Sequence, residues 1–207
     1  MEKKTMAYLH GRKAAGQKIV MLTCYDYPTA KLQEQAGVDV IFIGDSVGTN
    51  VLGYASETEV SLDEIAHHLK MVRRGVETAY LLADMPYRTY ESPEAALDTA
   101  RTLLSHGADG VKLEGVRPDV VRKLREHGIE AWAHIGYNPQ YHSQAAVKGK
   151  TFEDAAALIE DALELQEAGA SMLVLELMPI ELAAMLTGRL AIPTIGIGAG
   201  SGTDGQV

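Results

Sequence analysis

Six short runs of this 207-residue sequence end on groups that can do acid–base or ligand chemistry. In chain order they carry Asp26 after TCY, Asp45-Ser46 in GDSVG, Asp84 in LLADMP, Lys112 and Glu114 in VKLEG, His134 in WAHIG, and Glu176 in LVLEL. The glycines of GIGAG follow. Each ionisable group lies within or just beyond an apolar stretch, where a charge is costly unless it is paired or bound to metal. Asp45, Asp84 and Glu114 are hard oxygen ligands, suited to Mg²⁺ and unsuited to Zn²⁺. A magnesium ion chelated by a 2-oxo acid polarises the carbonyl and stabilises an enolate at the adjacent carbon. Lys112 could hold the acid's carboxylate or the developing oxyanion. Glu176, if desolvated, could take the proton alpha to that carbonyl. Taken unaided, the set suggests metal-assisted enolisation of a small oxo acid.

Each residue also has a plainer reading. Asp26 or Asp45 could cap a helix that follows a strand, and Asp84 before Met85-Pro86 could serve a turn. Lys112 and Glu114 alternate in one strand, share a face, and could be a structural ion pair. His134 alone would suit a satisfied core histidine, whereas a carboxylate inside Leu173–Leu177 has no obvious structural use. Cys24 reads as a small buried hydrophobe. GIGAGSGTDG could cradle a phosphate but lacks the Lys-Ser/Thr of a P-loop.

The elements that must position these groups are legible as alternating apolar runs and helical stretches. Strands are expected at Ile19–Tyr25, Val38–Ile43, Tyr80–Asp84, Gly110–Glu114, Ala131–Ile135, Met172–Glu176 and Thr194–Gly198. All are short, nearly continuous in hydrophobicity and rich in Val, Ile and Leu, as befits parallel strands buried on both faces. Between them stand helix signals: the Ser61/Glu64 capping box, Ser92-Pro93, Pro118, and Thr151 before a longer helix ending near Gly169. A short helix is expected from Pro28 to Gly37. No Gly-x-Gly-x-x-Gly follows the first strand, so a closed (β/α)8 TIM barrel is favoured over an open dinucleotide-binding sheet. With seven strands read, residues 1–207 are expected to form one barrel domain truncated after the seventh strand, lacking its C-terminal β/α unit.

Composition narrows the partners. Nineteen Lys and Arg against 28 Asp and Glu give a net charge of −9, which repels polyphosphate and argues against nucleic acid. No apolar run is long enough to cross a bilayer, and MEKKTMAYLHGRKAAGQ has no signal-peptide core. A single cysteine excludes an intrachain disulfide, and the reading is a soluble, cytoplasmic protein.

As a set, TCYDYPTAK, IFIGDSVG, VSLDEIAHHLKMVRRG, LLADMP, GADGVKLEG, HIG with NPQ, EAGASMLVLE and IPTIGIGAG with TDGQV resemble the ketopantoate hydroxymethyltransferase family. The resemblance implies a (β/α)8 barrel related to the phosphoenolpyruvate mutase and isocitrate lyase group, assembled as a homo-oligomer, typically a decamer. It implies Mg²⁺-dependent transfer of a hydroxymethyl group from 5,10-methylenetetrahydrofolate to 3-methyl-2-oxobutanoate, giving 2-dehydropantoate on the route to pantothenate. By the same resemblance Asp45 and Asp84 would ligate magnesium, with Glu114 ligating it or holding its waters. Asp45, Ser46, Asp84 and Lys112 would contact the oxo acid, His134 would help position it, and Glu176 would accept the proton. The family usually reads Gly-His-hydrophobic-Gly-Leu-Thr-Pro-Gln around the histidine, whereas this chain reads AHIGYNPQ, and Tyr141–Lys150 is shorter than usual. The family also continues beyond TDGQ. Two other readings stand beside it: a different Mg²⁺-dependent enolate enzyme of the same group, and an inactive subunit completed by a partner. Arg73, Arg74, Lys148 and Lys150 are candidate anchors for a polyglutamyl folate tail, or simply a solvated basic surface.

Overall fold

In the computed structural model, which describes residues 2–207, eight parallel strands pair in chain order and close into a barrel. The first helix, α1 (Met6–Ala14), precedes β1 (Ile19–Thr23), and α2 (Tyr27–Gln35) leads to β2 (Val40–Ile43). Then come α3 (Leu62–Arg73), β3 (Tyr80–Asp84), α4 (Pro93–Ser105), β4 (Gly110–Glu114), α5 (Pro118–Glu126) and β5 (Ala131–Gly136). The chain continues through α6 (Phe152–Ala168), β6 (Met172–Glu176), α7 (Ile180–Arg189), β7 (Thr194–Ile197) and β8 (Gly205–Gln206). The expected caps are made: Ser61 and Glu64 satisfy each other's backbone at the start of α3, and Ser92 and Thr151 cap α4 and α6.

Alternation along each strand divides the core in two. Outward residues such as Ile41, Leu81, Val111, Ala133 and Leu173 pack under the helices. Inward residues Ile19, Met21, Val40, Phe42, Tyr80, Leu82, Trp132, Met172, Val174 and Ile195 fill the barrel. Met6 and Leu9 of α1 join that inner cluster. The helix therefore plugs the barrel at the end where the strands begin, a role its sequence, with only Met6 and Leu9 buried, does not advertise.

The structure corrects the expectation of a barrel ending at its seventh strand. Gly205–Gln206 pairs with β1 and with β7, so neither is left as an open edge. The sequence hides this strand because it has two residues and no apolar run. Its first residue must be small: a Cβ at Gly205 would lie 2.4 Å from the Ile19 carbonyl oxygen. The GIGAGSGTDG segment is used as the turn between β7 and β8, where Asp204 accepts the Thr194 N–H at 2.9 Å and pairs with Lys13 at 2.8 Å.

Two further expectations are decided by placement. Asp26 is the N-cap of α2, accepting from the Thr29 N–H at 2.8 Å, so its plainer reading holds. Arg73 and Arg74 end α3, which feeds the start of β3; they lie at the N-terminal face of the barrel, away from the strand ends that carry the acidic groups. Cys24 is buried, and burial pushes its thiol up to about 11, as expected of an inert core residue. Among the described residues no helix is long and apolar enough to cross a membrane.

Candidate active site

The inner face that buries Leu82, Trp132 and Val174 continues, two residues on, into Asp84, His134 and Glu176. On β4 the same parity gives Lys112 and Glu114. Strand register then sets neighbours: Asp84 opposite Lys112, Glu114 opposite His134, and Gly136 opposite Glu176. The apolar layers below exclude water, and the polar layer above them is where barrel enzymes build their sites.

These residues share one cavity of about 340 Å³ with Thr23, Phe42, Asp45, Ser46, Glu57, Tyr137, Pro139 and Ile197. Of the strand-end groups singled out from the sequence all but Asp26 line it: Asp45, Ser46, Asp84, Lys112, Glu114, His134 and Glu176. Asp45 and Ser46 follow β2, leading into a single π-helical turn at Gly48–Leu52 of the kind often found at functional sites. The Asp45 N–H donates to Asp84 Oδ2 at 3.0 Å, and Ser46 Oγ lies 2.7 Å from the Tyr25 hydroxyl.

Lys112 is the central cation. Its Nζ sits 2.7 Å from Asp84 Oδ1 and 3.5 Å from Glu114 Oε1, and 5.5 Å from the centre of the Phe42 ring. Burial alone would lower its pKa, but Asp84, Glu114 and Asp45 outweigh that and raise it. Glu114 falls to about 2: burial opposes this, and Lys112, His134 and the Gln140 N–H overcome it. Burial drives the Asp45 carboxyl well above the usual range, and the Asp84 charge pushes the same way. Asp84 is raised too, chiefly by burial and against the pull of Lys112. His134 bridges two carboxylates, with Nδ1 3.5 Å from Glu114 Oε1 and Nε2 3.2 Å from Glu176 Oε2. Burial would lower its pKa, but these two contacts raise it.

Four carboxylates thus converge on one lysine and one histidine, leaving an excess of negative charge and hard oxygen. Among the described residues no group of three or more His, Cys, Asp or Glu is arranged to hold a metal ion. Magnesium does not need one, because it is ordinarily held by one or two carboxylates and completes its shell with water and substrate. Asp45 and Asp84 are in contact, and no hydrogen bond among the described residues reaches Asp45 Oδ1, so the pair fits such an ion.

One buried residue of this site carried no role in the sequence reading. Gln140 donates from Nε2 to Asp45 Oδ2 at 2.7 Å, and its N–H donates to Glu114 Oε2 at 3.0 Å. NPQ belonged to the motif set, but an uncharged amide gives no hint that it is buried among charges.

The sequence model of the ketopantoate hydroxymethyltransferase family matches residues 3–207. The chain belongs to that family. It is 49% identical to a 3-methyl-2-oxobutanoate hydroxymethyltransferase of Dehalococcoides mccartyi, over 98% of this chain and 74% of that protein. It is 48% identical to the enzyme of the same name from Thermus thermophilus, over 95% of this chain and 77% of that protein. Family membership and fold agree. A phosphoenolpyruvate phosphomutase of Streptomyces platensis superposes with a TM-score of 0.74 at 12% identity, covering 98% of this chain and 79% of the other. A phosphonopyruvate hydrolase solved with oxalate and Mg²⁺ superposes at 0.71 and 12% identity, covering 93% and 72%. These two likenesses establish the shared barrel.

Proposed function

We propose that this chain is a 3-methyl-2-oxobutanoate hydroxymethyltransferase, moving a hydroxymethyl group from 5,10-methylenetetrahydrofolate to the oxo acid to give 2-dehydropantoate. The observation that carries the reading is the meeting of Asp45, Asp84, Lys112, Glu114, His134 and Glu176 in one cavity of a chain that belongs to this family. Asp45 and Asp84 would hold Mg²⁺, with Glu114 supporting the same site. Bound there, the ion supplies polarisation of the 2-oxo group and compensation for charge on its oxygen.

The chain's own residues do the rest. Lys112 and Ser46 bind the oxo acid beside Asp45 and Asp84, and the apolar wall of Phe42 and Ile197 faces its isopropyl group. Glu176 removes the proton from C3, with His134 at 3.2 Å holding the carboxylate in place. The electron pair left at C3 forms the new bond to the methylene carbon of folate, water supplies the hydroxyl oxygen, and tetrahydrofolate leaves. We place the reaction in the cytoplasm and in a homo-oligomer, with the decamer as the family's form.

Proton NMR in D₂O tests the first half. The C3 proton of 3-methyl-2-oxobutanoate should be lost only when protein and Mg²⁺ are both present, and adding 5,10-methylenetetrahydrofolate should yield 2-dehydropantoate. Exchange without product under any folate condition would favour a different enolate enzyme of the same fold. No exchange from folded protein would favour a subunit that needs a partner.

A further inference from the structure

Gln140 is 3% exposed and makes four polar contacts, each to a different group. Its Nε2 donates to Asp45 Oδ2 at 2.7 Å and to the Met85 carbonyl at 3.1 Å. Its Oε1 accepts from the Tyr90 hydroxyl, and its backbone N–H donates to Glu114 Oε2 at 3.0 Å. The partners decide which way the amide points. A carbonyl can only accept, so the atom facing Met85 is the nitrogen, and the oxygen must face Tyr90. Tyr90 is itself saturated: it gives its proton to Gln140 and accepts from the Glu114 N–H at 3.3 Å and the Tyr141 hydroxyl at 3.3 Å.

We infer that Gln140 is a positioning residue that fixes the Asp45 carboxylate for the divalent cation, through a chain of hydrogen bonds running Tyr141–Tyr90–Gln140–Asp45. The amide takes up Oδ2 and leaves Oδ1 as the oxygen without a partner. A neutral donor is the right choice of chemistry. A lysine or arginine in its place would orient Asp45 equally well but would cancel the negative charge that a cation needs. An apolar residue would leave a buried carboxylate beside Asp84 with nothing to hold its plane. Through its own N–H the same residue ties Glu114 to Asp45, so a group at the end of β4 and one in the loop after β2 are set by one loop position. Partners at one remove from a metal are known to tune affinity by orienting its ligands.

The inference rests on the reading that Asp45 helps hold a divalent cation, and the test separates the two. Mn²⁺ binding to the whole chain is followed by the electron paramagnetic resonance of free and bound ion, with no substrate present. Wild type should bind, and Asp45→Asn should bind much more weakly; failure of either refutes the metal reading itself. Gln140→Met keeps the length and removes the amide. It should weaken Mn²⁺ by about 10–100-fold and alter the bound-ion spectrum while the far-UV circular dichroism stays native. Native-like Gln140→Met with wild-type Mn²⁺ affinity would overturn the positioning role. If that variant does not fold, Tyr90→Phe decides: it removes the donor to Gln140 Oε1, together with the acceptor of the Glu114 N–H and the Tyr141 hydroxyl, and leaves the amide itself in place. It should weaken Mn²⁺ in the same direction, and unchanged affinity would equally overturn the inference.

Discussion

Glu176 Oε2 lies 3.2 Å from His134 Nε2, and the other imidazole nitrogen lies 3.5 Å from Glu114 Oε1. One ring therefore links the proposed base to the carboxylate that pairs with Lys112. Glu176 is the more open of the two and His134 is almost completely buried, which supports the proposed division in which the histidine orients and the glutamate reacts. Glu176→Gln should keep Mn²⁺ and oxo-acid binding and slow C3 exchange by about 10²–10⁴-fold. Exchange at the wild-type rate would place the base elsewhere.

Metal removal should be fully reversible. Chelation by EDTA is expected to abolish exchange without unfolding the protein, and Mg²⁺ or Mn²⁺ should restore it. Zn²⁺ should not, because the available ligands are carboxylate oxygens with no thiolate and no free imidazole. Exchange that persists after exhaustive chelation would show that Lys112 alone stabilises the enolate.

Gly136 ends β5 with φ of 97° and faces the Glu176 backbone so closely that a Cβ would sit 2.2 Å from its carbonyl oxygen. Gly136→Ala combines a strained conformation with that clash and should cost about 2 kcal/mol or more, read from the urea midpoint. It should also displace Glu176 and lower exchange. A variant of unchanged stability and activity would mean that β5 and β6 can separate there freely.

Away from the site, Asp39 fastens α1 to the barrel. It accepts from the Val20 N–H at 3.0 Å and the Tyr8 hydroxyl at 2.8 Å, and Lys4 approaches to 3.2 Å. Burial alone would raise its pKa, but these donors lower it. With the folded value below that of the unfolded chain, the stabilisation is complete above about pH 4. It is lost as the pH falls through the folded value. Asp39→Asn should therefore cost about 1–3 kcal/mol at pH 7, and the gap from wild type should narrow in acid. A constant gap across pH would exclude the carboxylate as its source.

Placement also divides the four basic residues considered for a polyglutamyl tail. Lys148 and Lys150 lie in the loop after β5, where the Lys148 N–H donates to the carbonyl of Leu177, next to Glu176, at 2.8 Å. Reversing their charge should raise KM for a polyglutamylated folate more than for the monoglutamate. The same change at Arg73 and Arg74, at the far end of the barrel, should do neither. Equal effects on both folates from Lys148 and Lys150 would remove them as anchors.

The strands β3, β4 and β6 are legible because each is an apolar run closed by a carboxylate. Lys112 and Glu114 show why: period two alone puts both on the inner face. What escaped was carried by other signals. The helix α1 buries only Met6 and Leu9 of its nine residues, too few to stand out. Gly205–Gln206 has no side-chain pattern, since its place is fixed by how closely its backbone can approach Ile19. Asp26 looked like one more acid at a strand end because an N-cap and a site residue occupy the same sequence position. Gln140 was hidden because its importance lies in the donors and acceptors around it, which only the folded chain brings together.

The pairing of β1 with β8 has a consequence for how the protein is made. The strand β1 gains its second neighbour only when Gly205 arrives opposite Ile19, 186 residues later in sequence order, and Lys13 must find Asp204 in the same step. Contacts of such separation are the slowest to form, since the entropy of closing so long a loop is lost before any contact repays it. During synthesis the edges of β1 and β7 stay unpaired until Gly205–Gln206 emerges, so the barrel around the cavity and its four carboxylates closes only with that strand. Variants that weaken the Lys13–Asp204 clasp should therefore show themselves first as a slower final refolding phase and as aggregation of the open barrel, with the finished enzyme little changed.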